Sequence, residues 1–454
     1  MSLEKLQRLA KSKKIEFLDI KFCDLPGHWH HITLPISALH EKLFTNGVGV
    51  DGSSLPGFSA IEKGDMILIP DASTGFVDPF FERPTLSMLA DIMEVDSQVL
   101  PYSRNPRRVA GDAEKYLSKV KKGLKAVIGP EFEFYLFDKV NYYQGPDQAF
   151  YELESSEAKW NSGQDDEHLG YKIPYKKGYH AAPPMDRSFN LRSEIASMLA
   201  DVGIDLKYHH HEVATGQHEI EIKFDTLLGM ADKSMLVKYF IKNLCYKNKK
   251  SATFMPKPLF NEPGSGLHVH QYLADSKGSV FYDKNGPAQF SKIGLYYIGG
   301  IIKHVDSLLA FTNPSTNSFK RLVPGFEAPV AGTYSVGNRT ACIRIPGYQR
   351  DPKMMRFEFR PSDGTMNPYL AYAAMLMAGI DGIKNEIDPG PMLDKNLDTL
   401  SQAELKKIHQ LPTSLNDSLD ALEKDFEYLL EGGVFTKDLI ENWITLKRKE
   451  VIEI

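Results

Sequence analysis

The chain repeats one strand pattern, in which every second side chain is polar or charged and the others are apolar. Its first copy is GPEFEFYLF, from Gly129 to Phe137. Successive side chains of an extended strand point to opposite faces, so Glu131 and Glu133 share a face with Tyr135. A single E-x-E is also typical of a surface strand that shows its acids to water. Repetition of the pattern further along the chain decides between these interpretations.

The same pattern returns in three later segments, QHEIEIKF, LHVHQYL and RFEFR. Their polar faces carry Glu219 and Glu221, then His268, His270 and Tyr272, then Arg356, Glu358 and Arg360. One strand of this kind is an ordinary edge strand. Four of them predict a sheet that curves around a charged hollow.

The length of 454 residues exceeds what one hydrophobic core usually organises, so we expect at least two structural units. Short strands and turns dominate the chain up to about Tyr102, and PYSRNPRR then marks a break. We therefore predict an α+β protein with a small unit over residues 1–103 and a large one over residues 104–454.

Two local predictions concern the large unit. Residues 141–179 are polar, aromatic and rich in glycine with little periodicity, which indicates a long surface excursion. The next stretch, PPMDRSFNLRSEIASMLADVGI, predicts a helix with Asp186 as its N-cap.

Composition excludes several classes of protein. No run approaches the roughly 18–20 apolar residues that cross a bilayer, and the N-terminus lacks the apolar core of a signal peptide. Cys23, Cys245 and Cys342 are too far apart for a zinc motif and odd in number for a disulfide framework. A net charge of −5 argues against a nucleic-acid binder. We expect a cytoplasmic protein without membrane or nucleic-acid partners.

The candidate metal ligands are mostly carboxylates. They are Glu131, Glu133, Glu212, Glu219 and Glu358, with His268 as the one nitrogen donor. Oxygen ligands suit Mg²⁺ or Mn²⁺ better than Zn²⁺. Five acids exceed the need of one cation, so we expect two or more metal positions. Of His209, His210 and His211, we expect two to be structural, because three consecutive strand residues cannot all face one site.

Arginines cluster in SFKRLVPGFEAPVAGTYSVGNRTACIRIPGYQR, which contains Arg321, Arg339, Arg344 and Arg350. Guanidinium groups bind phosphate or carboxylate as a bidentate fork. Arginines and metals around a polyphosphate are what phosphoryl transfer requires, although no Walker-type loop is present. The alternative is a solvated network of salt bridges.

Eight segments together resemble the glutamine synthetase family, in its prokaryotic type I class. They are DGSS, GPEFEF, HHHEVATGQHE, GSGLHVH, NSFKRLVPGFEAPV, NRTACIRIP, RFEFRPSDGTMNPYLA and EGGVF. The resemblance covers nearly the whole chain and implies an N-terminal β-grasp domain, followed by a catalytic domain with a curved antiparallel sheet flanked by helices. It implies ATP-dependent ligation of ammonia to L-glutamate through γ-glutamyl phosphate, in rings of six subunits that share active sites.

The resemblance also implies roles for single residues. Glu133, Glu212 and Glu219 would hold one divalent cation, and Glu131, His268 and Glu358 a second one. Arg339 and Arg344 would bind the transferring phosphoryl group of ATP, and Arg321, Arg360 and the Gly264 backbone would bind glutamate. Asp51 from a neighbouring subunit would take the proton of ammonium, with Ser54 and Tyr179 nearby, and Glu327 would lie on a closing flap. On its own, the Asp51 segment GVGVDGSSLPGF also reads as a plain turn.

Four departures from the family pattern affect these expectations. Pro263 replaces an asparagine that contacts glutamate, Asp398 replaces a tyrosine that some members adenylylate, and Ala60 replaces an arginine used in feedback control. The chain ends at VIEI, before the tail that clasps a second ring, so stacking into a dodecamer is left open.

Three other functions compete with glutamine formation. A related ligase would use a polyamine in place of ammonia, but Asp51 and Glu327 suit ammonium. A structural relative without activity would have lost metal ligands, whereas all six positions are filled. A two-metal hydrolase is disfavoured by the arginine-rich loop.

Overall fold

The structure is a computed structural model that describes residues 1–58, 64–96, 98–161, 169–324, 328–393 and 408–452. Its strands form one sheet in the N-terminal unit and one larger sheet in the C-terminal unit, with helices packed around the larger sheet. Among the described residues, no helix combines the length and the apolar character that spanning a bilayer requires.

The N-terminal unit is a mixed sheet with two helices. The strands are β1 (Phe17–Cys23), β2 (Trp29–Pro35), β3 (Val48–Asp51), β4 (Asp65–Pro70), β5 (Phe76–Asp78), β6 (Thr85–Val95) and β7 (Val99–Pro101), and the helices are α1 (Leu3–Ser12) and α2 (Glu41–Thr45). The strand order is β2-β1-β6-β4-β3, with β5 and β7 also paired to β6. Only β1 and β6 run parallel, and α1 buries Leu6 and Ala10.

The C-terminal unit contains the larger sheet and a separate hairpin. Its strands are β8 (Lys125–Phe137), β9 (Lys139–Gln144), β10 (Ala149–Glu154), β11 (Leu206–His211), β12 (Gln217–Ile222), β13 (Asp225–Thr226), β14 (Ser251–Thr253), β15 (Leu267–Asp275), β16 (Gly278–Ser279), β17 (Ala331–Val336), β18 (Ala341–Ile345) and β19 (Phe357–Phe359). The main order is β11-β12-β8-β15-β19-β18-β17, so the strand that carries Glu131 and Glu133 is central.

The sheet, expected to be antiparallel, is mixed at one edge. β17 and β18 pair in parallel, with Ala341 opposite Ala331. Residues 337–340 run back along β17 before β18 begins, so the second strand starts beside the first residue of the first strand. The other pairs of this sheet are antiparallel, as expected.

Helices cover the larger sheet. They are α3 (Pro106–Val120), α4 (Phe189–Asp201), α5 (Leu227–Lys247), α6 (Lys292–Lys303), α7 (Val305–Thr312), α8 (Ser318–Arg321), α9 (Pro368–Lys384), α10 (Leu415–Lys424), α11 (Glu427–Leu430) and α12 (Lys437–Ile452). Short 3₁₀ turns occur at 36–38, 72–74, 159–161, 287–289, 352–354 and 431–433. α9 is buried along most of its length and packs against α3, α5 and α6, which makes it the centre of the helical core.

A buried arginine at the start of α3 joins the two units. Arg107 donates to Asp71 at 2.8 Å and to Asp91 at 3.1 Å in the N-terminal unit, and to Asp232 of α5 at 3.0 Å. Its side chain is only 6% exposed, so this charge is held in place by three carboxylates and not by water.

The predicted surface excursion contains an exposed hairpin, and the predicted N-cap of α4 is wrong. Part of the stretch 141–179 is an exposed antiparallel hairpin, β9–β10, whose faces are both in solvent and therefore left no alternation in the sequence. Ser188, not Asp186, precedes α4. Asp186 instead pairs with Arg192, a fully buried residue of α4 that needs a carboxylate partner.

Candidate active site

One cavity of about 600 Å³ collects nearly all of the predicted site residues. Those that line it are Glu131, Glu133, Tyr179, Glu212, Glu219, Gly264, His268, Arg321, Arg339, Arg344, Glu358 and Arg360. They come from distant parts of the sequence, and strand pairing brings most of them together.

The register of the larger sheet explains the convergence. Glu219 of β12 lies opposite Glu133 of β8, and His268 of β15 lies opposite Glu131. Glu358 of β19 pairs with Arg344 of β18 on the far side of β15. Directly opposed residues in a sheet have Cβ atoms about 5 Å apart, so this register alone builds a patch of acids and one imidazole.

Glu131, His268 and Glu358 form the first group able to hold a cation, with ligand atoms within 4.8 Å of one another. Nδ1 of His268 lies 3.0 Å from Glu131 and 3.7 Å from Glu358. Its Nε2 lies 3.1 Å from Nη2 of Arg321. A guanidinium can only donate and a carboxylate can only accept, so in this arrangement Nε2 of His268 accepts from Arg321 and Nδ1 donates to Glu131.

The second group differs in one member from the predicted set. His210, Glu212 and Glu219 lie within 4.8 Å of one another, and His210 is 3.5 Å from Glu219. Glu133 lines the same cavity but accepts the backbone N–H of Gly266 at 2.7 Å. The HHHE run was the only sequence signal for His210, and it could not show which of three histidines faces the cavity.

Two further groups of titratable residues accompany these. His270 lies 2.7 Å from Glu131, and together with Glu221 they make another compact set of ligand atoms. His211 is fully buried against Glu157 at 3.1 Å and does not line the cavity. The structural role expected for two of the three histidines fits His211 and also His209, whose Nδ1 accepts from Arg192 at 3.3 Å. His209 and His210 both line the cavity, but only His210 belongs to a group of potential ligand atoms there.

The carboxylates differ in electrostatic environment. Burial and the neighbouring carboxylates raise the pKa of Glu212 and of Glu219 well above the usual value. Burial would also raise the pKa of Glu131, but His270 and His268 outweigh it and hold that pKa well below the usual value. For Glu358 burial is again opposed, chiefly by Arg360, and the pKa falls to about 2. One side of the cavity therefore carries excess negative potential, and the other is compensated.

Arginines supply that compensation. Arg344 donates to Glu358 at 2.6 Å, and Arg360 donates to the other oxygen of the same carboxylate. Nε of Arg344 is buried without a hydrogen-bond partner among the described residues. Arg321 directs its Nη1 to the carbonyl of Pro361 at 2.7 Å, so it also braces the strand that carries Glu358.

The glycine-rich turn before β15 has no room for side chains. A Cβ on Gly264 would lie 2.4 Å from the carbonyl oxygen of Pro256. The Gly264 carbonyl accepts from Gln217 at 3.1 Å, and the Pro263 carbonyl accepts from Tyr135. The backbone N–H of Ser265 donates to Pro256 at 2.8 Å. Pro263 thus lines the cavity with its backbone held, without the amide that the family pattern has at this position.

Two predicted residues, Asp51 and Ser54, are not brought into this cavity by the single chain. Asp51 ends the edge strand β3, is exposed, and accepts from the backbone of Ser53 at 2.8 Å. Ser54 follows in the same turn, and neither residue lines the cavity. Glu327 lies outside the described residues, as do Ala60 and Asp398. Arg350 is exposed and away from the cavity lining.

Clustered carboxylates and imidazoles beside arginines, on a curved sheet, define the class of enzymes that transfer phosphoryl groups with the help of divalent metal ions. Comparison with known proteins shows which family within this class the chain matches. Residues 14–95 match the family model described as "Glutamine synthetase, beta-Grasp domain", and residues 103–454 match "Glutamine synthetase, catalytic domain".

Relatives match over nearly their full length. The glutamine synthetase of Frankia alni is 48% identical over 453 residues, covering 99% of this chain and 95% of the relative. That of Aquifex aeolicus is 46% identical over 452 residues, with 99% and 96% covered. The cryo-EM structure of Plasmodium falciparum glutamine synthetase superposes with a TM-score of 0.89 at 30% identity, covering 100% of this chain and 96% of that one. A structure titled "GmaS/ADP complex" gives 0.81 at 28% identity, with 98% and 95% covered.

The chain belongs to the glutamine synthetase family. The resemblance drawn from the sequence motifs is confirmed, as are the β-grasp domain and the catalytic domain. The protein is a glutamate–ammonia ligase that forms glutamine at the expense of ATP. The family uses ATP and divalent metal ions, and the acidic and histidine groups of the cavity are candidate sites for such ions.

Proposed function

We propose that the cavity between β8, β12, β15 and β19 carries out glutamine formation through γ-glutamyl phosphate. The observation that supports this most strongly is the strand register, which places two cation-binding groups and a set of arginines in one pocket. A γ-carboxylate oxygen of glutamate attacks the γ-phosphorus of ATP, and the bond from that phosphorus to ADP breaks. Ammonia then attacks the acyl carbon, and inorganic phosphate leaves.

The ligand sets suit hard divalent cations. Glu131, His268 and Glu358 would hold one Mg²⁺ or Mn²⁺, and Glu212 and Glu219, with Glu133, would hold another. The chemistry that these ions supply when bound is neutralisation of phosphate and carboxylate charge. His210 stands within the second group and is an additional candidate ligand.

The arginines divide between the two substrates. Arg344, with one buried donor free of partners among the described residues, and Arg339 face the phosphoryl group. Arg360 and Arg321, with the narrow turn at Gly264, bind glutamate. Asp51 takes the proton of ammonium, because only the neutral amine has the lone pair that attacks. Ser54 and Tyr179 lie near that step, and Glu327 shields the acyl phosphate.

Asp51 and Ser54 do not line the cavity of their own chain, so a second copy would have to bring them there if they act in it. We therefore propose a homo-oligomer, a ring of six with sites between subunits, and leave a double ring open. The buried, unpaired thiols of all three cysteines fit a reducing cytoplasm. The domain boundary after residue 103 also stays a proposal.

A steady-state assay with Mg²⁺-ATP and glutamate tests the amine substrate. We expect turnover with ammonium and little with putrescine, and turnover with the polyamine alone would contradict the assignment. Phosphate release that needs ATP but not glutamate would instead favour a hydrolase.

A further inference from the structure

A second cavity, of about 580 Å³, lies between the β1–β2 turn and α5 and shares no lining residue with the active-site cavity. This groove, bordered by His28, Trp29, Lys238, Lys242, Phe254 and Thr365, has the volume of a small-molecule site. The mechanism above uses none of these residues.

The charged side chains that line the groove are all basic. Lys238 and Lys242 are four residues apart on α5, so they lie on the same face of the helix. Like charges at that spacing repel each other. No carboxylate is among the described residues that line the groove. The nearby acids are committed elsewhere: Asp24 accepts the backbone N–H groups of Gly27 and His28, and Asp363 accepts from Thr365 and Asn313.

The two ammonium groups still have donors to offer. Lys238 donates to the carbonyl of Gly364 at 2.8 Å, which uses one of its three N–H groups. Lys242 has no hydrogen bond or ion pair to any residue that the structure describes. Burial and the neighbouring Lys242 lower the pKa of Lys238 to about 8.

The remaining walls are aromatic and aliphatic. Trp29 packs on Tyr239 with ring centroids 5.7 Å apart, and Phe254 lies 5.7 Å from Nζ of Lys238. Met235 and Met255 complete this side. An inorganic ion would leave these surfaces in contact with water, whereas a molecule with an apolar part would cover them.

We propose that this groove binds a small organic anion, with carboxylate or phosphate oxygens on Lys238 and Lys242 and its apolar part against Trp29 and Phe254. A carboxylate and a phosphate can each accept hydrogen bonds from the two lysines. Two probe anions, one with each head group, distinguish them. His28, whose Nδ1 lies 3.3 Å from Asp24 and whose ring is largely exposed, stands at the rim of the groove.

Calorimetric titration of the full-length protein with phenyl phosphate, phenylacetate and benzyl alcohol tests the proposal. We expect at least one anion to bind and the neutral alcohol not to bind. Phenyl phosphate can also enter the arginine-lined cavity. Variants of the groove lysines therefore show which of the two cavities binds the probe. Lys238→Met/Lys242→Met should weaken binding about tenfold or more, since two charged contacts are lost.

The matched control is Lys247→Met, on the same helix but exposed and outside the groove, which should bind like the parent protein. Equal affinity in the double variant and the parent would overturn the proposal, as would failure of both anions to bind. If the double variant does not fold, acetylation rates at about pH 8 give the answer in the parent protein. The bound anion should protect Lys238 about threefold or more relative to Lys247, and unchanged labelling would overturn the proposal.

Discussion

Glu358 is a buried carboxylate whose two oxygens are each occupied by an arginine. Its place in the register, opposite Arg344 and next to His268, ties the anion-binding and cation-binding halves of the cavity together. Substitution by glutamine keeps the size of the side chain and removes its charge. The two guanidinium groups then lose their counter-ion, and the first cation group loses a ligand.

We expect Glu358→Gln to lower glutamine formation about 100-fold or more, because electrostatic stabilisation is lost where charge develops. Assays at saturating Mg²⁺ measure the loss of activity, and circular dichroism tests whether the variant keeps its fold. Glu152→Gln, on the exposed hairpin, is the control and should behave like the parent. Activity of Glu358→Gln close to that of the parent would contradict the assigned role.

Arg360 is expected to serve glutamate more than ATP. Arg360→Lys keeps the charge but loses the planar fork and the Nε contact to the Arg339 carbonyl, which is 3.2 Å long. We expect KM for glutamate to rise about tenfold and KM for ATP to change about twofold or less. Equal effects on both substrates would show that the residue supports the whole cavity instead.

The raised pKa values of Glu212 and Glu219 predict that metal binding at these carboxylates releases protons. The raised pKa values mean that the metal-free protein keeps protons on this pair above the usual glutamate range, whereas cations need the ionised form. Mg²⁺ affinity should therefore rise with pH. The folded chain holds these protons more tightly than the unfolded chain, so their contribution to stability fades as pH rises above the ordinary glutamate pKa.

Calorimetric Mg²⁺ titrations in two buffers of different ionisation enthalpy measure the released protons. Release should decrease as the pH rises through the raised pKa values of the pair. Glu219→Gln should reduce it. Release that is independent of pH would contradict the pKa shifts of this pair.

At the scale of elements, α3 is tied to the N-terminal sheet and to α5 by one side chain. Arg107→Met leaves Asp232 buried without its cation, and it removes the contacts to Asp71 and Asp91. We expect a loss of about 3 kcal/mol in the free energy of unfolding, because an uncompensated buried charge is costly.

The adjacent residue is the matched control. Arg108 pairs with Asp112 one turn along the same helix, and it is far more exposed than Arg107. Arg108→Met should cost about 0.5 kcal/mol or less. Urea denaturation compares the two variants, and similar losses would show that the buried network carries no special weight.

The elements also show what sequence reasoning can reach. Alternation predicted which side chains of β8 share a face, and the pairing with β12 and β15 confirmed the hollow. The N-cap of α4 was missed because a capping preference of about 1 kcal/mol gives way to a buried ion pair with Arg192. The sequence could not show which histidine of β11 faces the cavity, because the three are consecutive residues of one short strand.

The lysine groove was not predicted at all. Its lining comes from the turn after β1, one face of α5, strand β14 and the loops after β14, α7 and β19, and no pattern in the sequence indicates that these segments meet. Sequence patterns resolve periodic elements well, but they do not report which loops meet.

For the whole molecule, the position of Asp51 outside its own cavity predicts complementation between chains. Asp51→Asn and Glu358→Gln should each be nearly inactive alone. Mixed and reassembled, they should regain about a quarter to a half of the parent activity, because some interfaces then pair two intact halves. The double variant on one chain, mixed with itself, is the control. No recovery in the mixture would mean that each chain supplies its own Asp51.

One hydrogen bond described above connects the two cavities, from Ser265 to the carbonyl of Pro256. Pro256 lines the lysine groove, and Ser265 follows the turn that borders the glutamate position. We therefore expect a ligand in the groove that displaces this carbonyl to change the affinity for glutamate. Thermodynamic linkage makes that influence reciprocal, so glutamate must change the affinity of the groove by the same factor. The affinity of the groove for its ligand would then change when glutamate binds in the active-site cavity, although the groove takes no part in the reaction.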